Sequence, residues 1–277
     1  MKQTCTTLNR LVWILGLAFV LVFTGCSTSG GSSSGDPAPL PDPAPESYRE
    51  ESVSPETADF TLSALEFVEN LGAGWNLGNT LDAYVAGQTG LNTETSWGQP
   101  VTTQNMMAGL KASGLTTVRI PITWHNHVDS AFTVDEAWMD RVIEVVNYAL
   151  DEDLYVIINI HHDNEKDVYF PDELHAARSM EFVTRIWKQV ALMFRNYDEK
   201  LIFEFLNEPR LVGYSNEWVW SDSDPYHSEA AEVIGALTQS ALNAIRATGG
   251  NNADRYVMIT PYAASPQAAQ SSHFVIP

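Results

Sequence analysis

The chain has 277 residues, with 15 basic and 35 acidic side chains and a formal net charge of −20 at pH 7. This charge repels a phosphate backbone and argues against nucleic-acid binding, whereas a neutral polysaccharide is not repelled. The chain has 2 cysteines, and Cys5 lies in the predicted leader, so we expect no intrachain disulfide after processing.

The amino terminus has the pattern of a secretory signal peptide. Lys2 and Arg10 precede an apolar run from Leu11 to Phe23, which is short for a membrane span but suits a signal-peptide core. Two small residues then lead to Cys26, in a Phe-Thr-Gly-Cys sequence that resembles a bacterial lipoprotein box, with phenylalanine where leucine is more usual. We predict a signal peptide over residues 1–25 and lipidation of Cys26. The alternative is a leader that is cleaved before a free thiol.

A linker is predicted from residue 26 to residue 55. This segment is rich in Ser, Gly and Pro, a composition that cannot bury a core and stays extended. It would tether a folded domain over residues 56–277 to a bacterial membrane, at the cell surface or the periplasmic face. No internal repeat or second domain is evident in that domain.

Five short apolar runs in the predicted domain have the composition of buried strands. They cover residues 74–77, 116–121, 154–160, 201–206 and 256–260. Polar, aromatic or imidazole side chains follow each run, and segments of helical period separate the runs. This pattern predicts an α/β fold of repeated βα units with a parallel sheet, whose chemistry gathers at the carboxyl ends of the strands.

Helices are predicted where apolar side chains recur every three to four residues. One helix follows the second strand, with Thr133 and Glu136 at the spacing of a capping box. Two more are predicted over residues 180–194 and 229–247, the second of them closed by Gly249. These helices would cover the sheet.

The fourth apolar run ends in Asn207, Glu208 and Pro209. An acid and an amide at the end of an interior strand lie where the chain meets a cleft, which suits general acid catalysis. The alternative is a turn that merely starts a loop, because proline cannot donate to a ladder and asparagine favours turns.

Four motifs occur in order at successive strand ends: GWNLGNT (74–80), TVRIPITW (117–124), IINIHHD (157–163) and FEFLNEP (203–209). Together they resemble glycoside hydrolase family 5, the cellulase-like group of β/α-barrel enzymes. The resemblance covers roughly residues 56–277. It implies a catalytic domain that is an incomplete TIM-type (β/α)8 barrel, of which this chain holds about the first five βα units.

The resemblance also implies roles for the strand-end residues. It makes Glu208 the general acid/base and Asn207 the neighbour that hydrogen-bonds the sugar 2-hydroxyl. Arg119 and His161 match polar residues around the catalytic carboxylates, with His161 as a hydrogen-bond donor. The alternative for Arg119 is a buried ion pair with Glu204, which shares strand parity with Glu208, and both interpretations can hold together.

Sugar binding needs flat apolar surfaces as well as hydrogen-bonding groups. The predicted substrate-binding residues are His162, Trp124, Asn79, Trp218, Trp220 and Tyr262. Trp75 and Trp97 also lie near strand ends, with Trp75 the weakest candidate. Trp138 and Trp187 lie within predicted helices and are expected in the core.

The sequence His161-His162-Asp163 raises the question of a metal site, because imidazole and carboxylate are common zinc ligands. Adjacent strand residues point to opposite faces, so we expect that the two histidines do not bind one ion unless the strand has already become loop. We therefore expect neither a metal nor a cofactor.

A double-displacement glycosidase needs two carboxyl groups about 5 Å apart. The resemblance places the nucleophilic glutamate on a seventh strand, so we expect it to be absent from this chain. Glu217, Asp222 and Asp224 follow Glu208, but attack requires placement by a rigid element rather than a loop. We expect the chain as given to be inactive and to fold poorly, because an open parallel sheet exposes its edge.

The resemblance implies an endo-acting β-1,4-glucanase, a cellulase that works by double displacement with retention. Mannan, xyloglucan and mixed-linkage glucan remain alternative substrates. A noncatalytic glycan-binding surface lipoprotein would also account for the tether, the acidic surface and the tryptophans. We expect a monomer whose partner is β-glucan, with no nucleic acid and with membrane contact only through the lipid anchor.

Overall fold

The computed structural model describes residues 58–277. The predicted signal peptide, the lipidation site Cys26 and the linker to residue 55 therefore lie outside the described residues. Within residues 58–277, every helix is too short or too polar to cross a bilayer.

Five parallel strands form the centre of the fold, in the order β1-β2-β3-β4-β5. The strands are β1 (Gly74–Asn76), β2 (Thr117–Ile120), β3 (Tyr155–Asn159), β4 (Leu201–Glu204) and β5 (Val257–Met258). A helix lies in every connection between neighbouring strands. The predicted α/β fold of successive βα units is confirmed.

The described helices are α1 (Ala64–Leu71), α2 (Gln104–Ala112), α3 (Glu136–Asp151), α4 (Ala176–Met193), α5 (Pro225–Arg246) and α6 (Pro266–Ala269). Short 3₁₀ turns cover Leu91–Thr95, His125–His127, Gly250–Ala253 and Tyr262–Ala264. Both α4 and α5 begin four residues before their predicted starts. Their first turns contain no Leu, Ile, Val or Met, so the apolar period becomes visible one turn late.

The predicted cap of α3 is wrong. Asp135 is the N-cap, and its carboxylate accepts from the N–H of Trp138, which leaves Thr133 outside the helix. A capping box is present instead at α1, between Ser63 and Glu66. At the end of α5 the C-cap is Ala247 rather than the predicted glycine.

The outer face of the sheet carries most of the core. Its side chains form two rows across the strands, Val118, Val156 and Leu201 in one and Ile120, Ile158 and Phe203 in the other. All six are 0% exposed, and they pack with apolar residues of α3, α4 and α5. Each contributes on the order of 2 kcal/mol by leaving water. Trp138 and Trp187 lie in this core, as predicted.

The inner face of the sheet is divided along its length. Near the amino ends of the strands, Ile157 and Ile202 pack against Phe67 of α1. The Phe67 ring stacks on Tyr256 with 3.8 Å between ring centroids. Helix α1 thus closes the amino-terminal end of the inner face, and the carboxyl ends are left for polar groups.

Arg255 is a charged residue buried within the core, with 0% exposure. Burial lowers its pKa to about 9. Its guanidinium donates to one side-chain oxygen, that of Asn252, and to the carbonyl oxygens of Phe194, Tyr197, Asp198 and Leu201. These bonds join the carboxyl end of α4, where the helix dipole favours a cation, to the start of β4.

We predict that Arg255→Met lowers the free energy of unfolding of the full-length protein by about 3 kcal/mol or more. The substitution keeps most of the apolar stem but leaves several buried oxygens without a donor. Urea unfolding measures the loss. The exposed Arg195 provides a control, because Arg195→Met should change stability by less than about 0.5 kcal/mol. Equal effects of the two substitutions would contradict the prediction.

Candidate active site

Arg119 lies at the centre of the polar groups at the carboxyl ends of the strands. It grips the Glu204 carboxylate with two bonds, Nε to Oε2 at 2.6 Å and Nη2 to Oε1 at 2.7 Å. The same guanidinium donates to Asn207 Oδ1 at 2.8 Å and to Asn76 Oδ1 at 2.9 Å. The ion pair with Glu204 is therefore present, and it coexists with contact to the Asn-Glu motif.

Glu208 lies just beyond β4, on a backbone that is fixed through its neighbour Asn207. The Asn207 N–H donates to the carbonyl oxygen of Ile160 at 2.9 Å, and its side chain accepts from Arg119. The Glu208 side chain is 39% exposed, so its carboxyl group can reach a ligand. The strand-parity argument does not extend to this residue, because Phe205 and Leu206 both pack in the outer core and break the alternation.

His161 is held as a neutral hydrogen-bond donor. The Asn159 side-chain oxygen accepts from the Ile122 N–H at 3.2 Å, so the Asn159 amide group donates to His161 Nδ1 at 3.0 Å. The ring proton consequently sits on Nε2. Burial, together with the charges of His162 and Arg119, lowers the pKa of His161 to about 3. This geometry fits the donor role that the family resemblance implies, which stays a prediction.

His162 is supported by Asp82, which was not predicted from the sequence. Asp82 Oδ2 lies 3.6 Å from His162 Nε2, and Asp82 Oδ1 accepts from the Thr80 N–H at 2.9 Å. Burial acts to raise the pKa of Asp82, but the hydrogen bonds from His162 and from backbone N–H groups outweigh burial and lower it. The available signal was an acid directly after the GWNLGNT motif.

The two histidines do not point apart, because the strand has already become loop where they occur. Strand β3 ends at Asn159, so both histidines belong to the loop, and their ring centroids lie 4.4 Å apart. Ligand atoms of Asp82, His161 and His162 lie within 4.8 Å of one another. Ligands of a tetrahedral zinc ion lie about 3.4 Å apart, and oxygen and nitrogen atoms of this cluster already accept hydrogen bonds. The contacts favour hydrogen-bonded support of the cleft, and the expected absence of a metal stays a prediction.

Two residues predicted to bind substrate are buried. Trp124 is 1% exposed, packs in the outer core and donates from Nε1 to the carbonyl oxygen of Asn159 at 3.0 Å. Tyr262 is 2% exposed, and its hydroxyl accepts from the Leu211 N–H at 3.3 Å. Neither ring offers a face to a sugar, so the prediction of direct contact is wrong for both. The turn after each strand directs the ring into the protein interior. The sequence pattern does not specify this direction.

The tryptophans of the loop after β4 differ in exposure. Trp218 is 55% exposed, and one of its faces lies 3.9 Å from the guanidinium carbon of Arg210. Trp220 is partly buried, donates to Asp222 at 3.1 Å and stacks on His227 with 5.6 Å between ring centroids. Trp218 therefore keeps exposed ring surface, whereas Trp220 is engaged by Asp222 and His227, and substrate contact from either residue stays a prediction.

Trp97 lies beside His162, with 5.4 Å between their ring centroids. It is 39% exposed, and its Nε1 donates to the Tyr84 carbonyl oxygen at 2.9 Å. This position makes Trp97 a better platform candidate than the buried Trp124. Trp75 pairs in register with the outward-facing Val118 and therefore belongs to the outer face, away from the cleft.

Asn79 lies at the rim after β1 and is exposed. Its backbone has φ 62°, a left-handed conformation that asparagine tolerates better than most residues. A substrate contact from Asn79 stays a prediction.

Parallel βα units whose strand ends carry an Asn-Glu pair, an arginine and paired histidines define a glycosidase-type (β/α)8 barrel, of which residues 58–277 form a part. A sequence model described as "Cellulase (glycosyl hydrolase family 5)" matches residues 81–277. The chain belongs to glycosyl hydrolase family 5, and the predictions of fold and family are confirmed.

Characterised proteins show the same relationship. Endoglucanase A of Clostridium longisporum is 42% identical over 219 residues, which cover 78% of this chain and 41% of that protein. A complex of the glycoside hydrolase 5 lichenase from Caldicellulosiruptor sp. F32 with cellotetraose has a TM-score of 0.76 at 42% identity, covering 83% of this chain and 62% of that one.

A broad-specificity endoglucanase from Ruminococcus champanellensis with bound cellotriose has a TM-score of 0.74 at 43% identity, covering 80% of this chain and 63% of that chain. The chain thus spans about half the length of the curated relatives that it matches.

We predict that His161 is neutral in the folded full-length protein at pH 5, whereas His125 is protonated. Burial acts to lower the pKa of His125, but the hydrogen bond and charge of Asp163 outweigh burial and raise it. Nitrogen NMR of the labelled imidazole rings distinguishes the two states. A His161 ring that titrates above pH 5 would contradict the prediction.

The same difference predicts a pH dependence of stability. The pKa of His161 is lowered from the ordinary value of 6.5 to about 3 by burial and by the charges of His162 and Arg119. Between these values the unfolded chain binds a proton that the folded protein does not, so stability falls as the pH falls below 6.5. At pH 4.5, two units below 6.5, this loss is about 3 kcal/mol. Urea unfolding at pH 7 and pH 4.5 should show a smaller loss in His161→Gln than in the unmodified protein.

Proposed function

We propose that the full-length protein is an endo-acting glycoside hydrolase that cleaves β-1,4-glucan with retention, using Glu208 as the acid/base. The observation that carries this proposal is the placement of Glu208. Its backbone is fixed by Asn207, which is bonded to Arg119 and to Ile160, while its carboxyl group remains accessible.

The contacts of each residue support a distinct step. Glu208 protonates the glycosidic oxygen as the bond breaks, and it then takes a proton from the water that releases the sugar. Asn207 Oδ1 already accepts from Arg119, so the amide N–H₂ group is left to donate to the sugar 2-hydroxyl. His161 Nε2 offers a second donor. These bonds strengthen as the oxocarbenium-like transition state forms.

The nucleophile in this proposal comes from outside residues 58–277, from the seventh strand that the family resemblance implies. Neighbouring acids of the described chain are already engaged, Glu204 with Arg119 and Glu217 with Arg210. The 277-residue chain alone would therefore show no turnover.

The named relatives support β-glucan as the substrate class. Endoglucanases of Clostridium and Ruminococcus match at 42% to 45% identity, and a structural neighbour holds cellotetraose. Mixed-linkage β-glucan is the second candidate, because two of the structural neighbours are of a lichenase.

We expect Glu208→Gln in the full-length protein to lower kcat/KM on soluble β-glucan by about 10²- to 10⁴-fold, because the amide cannot transfer the proton. The dissociation constant for cellotetraose should stay within about threefold, since the substitution preserves shape. Reducing-sugar assays and calorimetry measure the two quantities.

The matched control is Glu232→Gln, which removes an exposed acid of α5 and should leave activity unchanged. A noncatalytic glycan-binding protein would instead show no turnover in the unmodified protein, with binding intact. That result would overturn the proposed function.

The proposal places the enzyme on a bacterial membrane as a monomer tethered through Cys26. Support comes from the sequence, where a signal-peptide core precedes the lipoprotein-like box and a Ser/Gly/Pro-rich linker follows it. A single acyl chain gives only marginal membrane binding, so stable tethering requires the multiply acylated cysteine of a lipoprotein.

We predict that Cys26→Ala moves the protein from the membrane fraction to the soluble fraction and abolishes metabolic labelling with a fatty acid. Cys5→Ala is the control, since that residue would be removed with the leader. Unchanged labelling of Cys26→Ala would refute the tether.

A further inference from the structure

Arg210 lies two residues after Glu208 and makes contacts that the proposed mechanism does not use. Its Nη1 donates to the Glu208 carbonyl oxygen at 3.1 Å and lies 3.7 Å from Glu208 Oε2. The second distance is beyond hydrogen-bond length, so the cation attracts the carboxyl group without occupying the oxygen that must reach the substrate.

The Arg210 guanidinium is itself fixed by Glu217. Arg210 Nε donates to Glu217 Oε1 at 2.8 Å, and Glu217 Oε2 accepts from the Gly213 N–H at 2.8 Å. Gly213 has φ 85°, which the turn between these residues requires. Glu217 therefore joins the arginine side chain to the backbone of its own loop.

The Arg210 backbone is held from a second loop. Asn164, which follows β3, donates from its side-chain amide to the Arg210 carbonyl oxygen at 2.7 Å. The Arg210 side chain is only 19% exposed. Few conformations remain to it, so it can orient a neighbour.

Trp218 covers the Arg210 guanidinium with one ring face, at 3.9 Å from the guanidinium carbon. Cation–π contacts of this kind contribute about 0.5–2 kcal/mol. Trp218 is 55% exposed, so ring surface that Arg210 does not cover is open to a ligand. The acid, the arginine and the tryptophan are thus in continuous contact.

We propose that Arg210 is a positioning residue that aims the Glu208 carboxyl group at the leaving-group oxygen and that supports Trp218 as the platform for the leaving-group sugar. This inference rests on the proposed function. The glycosidic oxygen leaves with the departing sugar, so a platform coupled to the acid belongs to that side of the cleft. Orientation of this kind acts on protonation, which is the step that Glu208 performs.

Two substrates separate positioning from general damage to the cleft. Cellotetraose needs protonation of its leaving oxygen and fills the leaving-group side. 2,4-Dinitrophenyl β-cellobioside needs no protonation, because dinitrophenolate departs without a proton. It also has no leaving-group sugar to place on that side of the cleft. In both cases kcat/KM reports the steps up to bond cleavage.

We expect Arg210→Met in the full-length protein to lower kcat/KM for cellotetraose by about 10²-fold, while the value for the dinitrophenyl substrate stays within about threefold. Arg210→Lys keeps the positive charge but loses the planar guanidinium that makes several directed hydrogen bonds. Its kcat/KM for cellotetraose should lie between those of the unmodified protein and Arg210→Met. Trp218→Ala should raise KM for cellotetraose and spare the dinitrophenyl substrate.

Arg178→Met is the matched control. Arg178 also stacks on an aromatic ring, that of Phe132 at 4.2 Å, and donates to the Asp167 carbonyl oxygen. Arg178→Met should leave kcat/KM unchanged for both substrates. Equal losses on both substrates in Arg210→Met, or no loss on either, would overturn the inference. If Glu208→Gln leaves cellotetraose hydrolysis intact, the proposed function itself fails, whatever Arg210 does.

Discussion

The bidentate ion pair between Arg119 and Glu204 organises the polar groups at the carboxyl ends of the strands. An arginine and a glutamate facing the inside of a parallel sheet are costly unless paired, and here two short bonds pair them while further donors reach Asn76 and Asn207. The guanidinium therefore links β1, β2 and the end of β4. The placement of Glu208 depends on it through Asn207.

Beyond this pair, the geometry of the site depends on where each strand ends. β3 ends at Asn159, and β4 ends at Glu204, after which two consecutive apolar residues pack outward. These departures bring both histidines to the same side of the cleft and turn Asn207 toward Arg119. Asp82 then supports one histidine, and Asn159 supports the other. Hydrogen bonds at the strand ends, rather than strand alternation, decide which side chains meet.

The sequence was sufficient for the parallel βα order, because periods of two and of 3.6 residues are local signals that buried faces reinforce. Strand parity predicted the pair of Arg119 with Glu204, and the family resemblance named Asn207, but Asn76 was not predicted as a partner of Arg119. The role predicted from the sequence is wrong for Trp124 and Tyr262, which are both buried. An aromatic residue at a strand end can pack in the core or stack on a sugar, and only the direction of the following turn decides which. The pairing of Asp82 with His162 depends on side chains about 80 residues apart, which no local pattern encodes.

The burial of Trp124 has a consequence for protein engineering. Its indole N–H holds the carbonyl oxygen of Asn159, and the side chain of that same asparagine dictates where the proton of His161 resides. A buried core residue is therefore connected, through Asn159, to the position of the proton on His161. Substitutions that repack the hydrophobic interior at position 124 would release the Asn159 carbonyl oxygen and so disturb the group that sets the tautomer of His161.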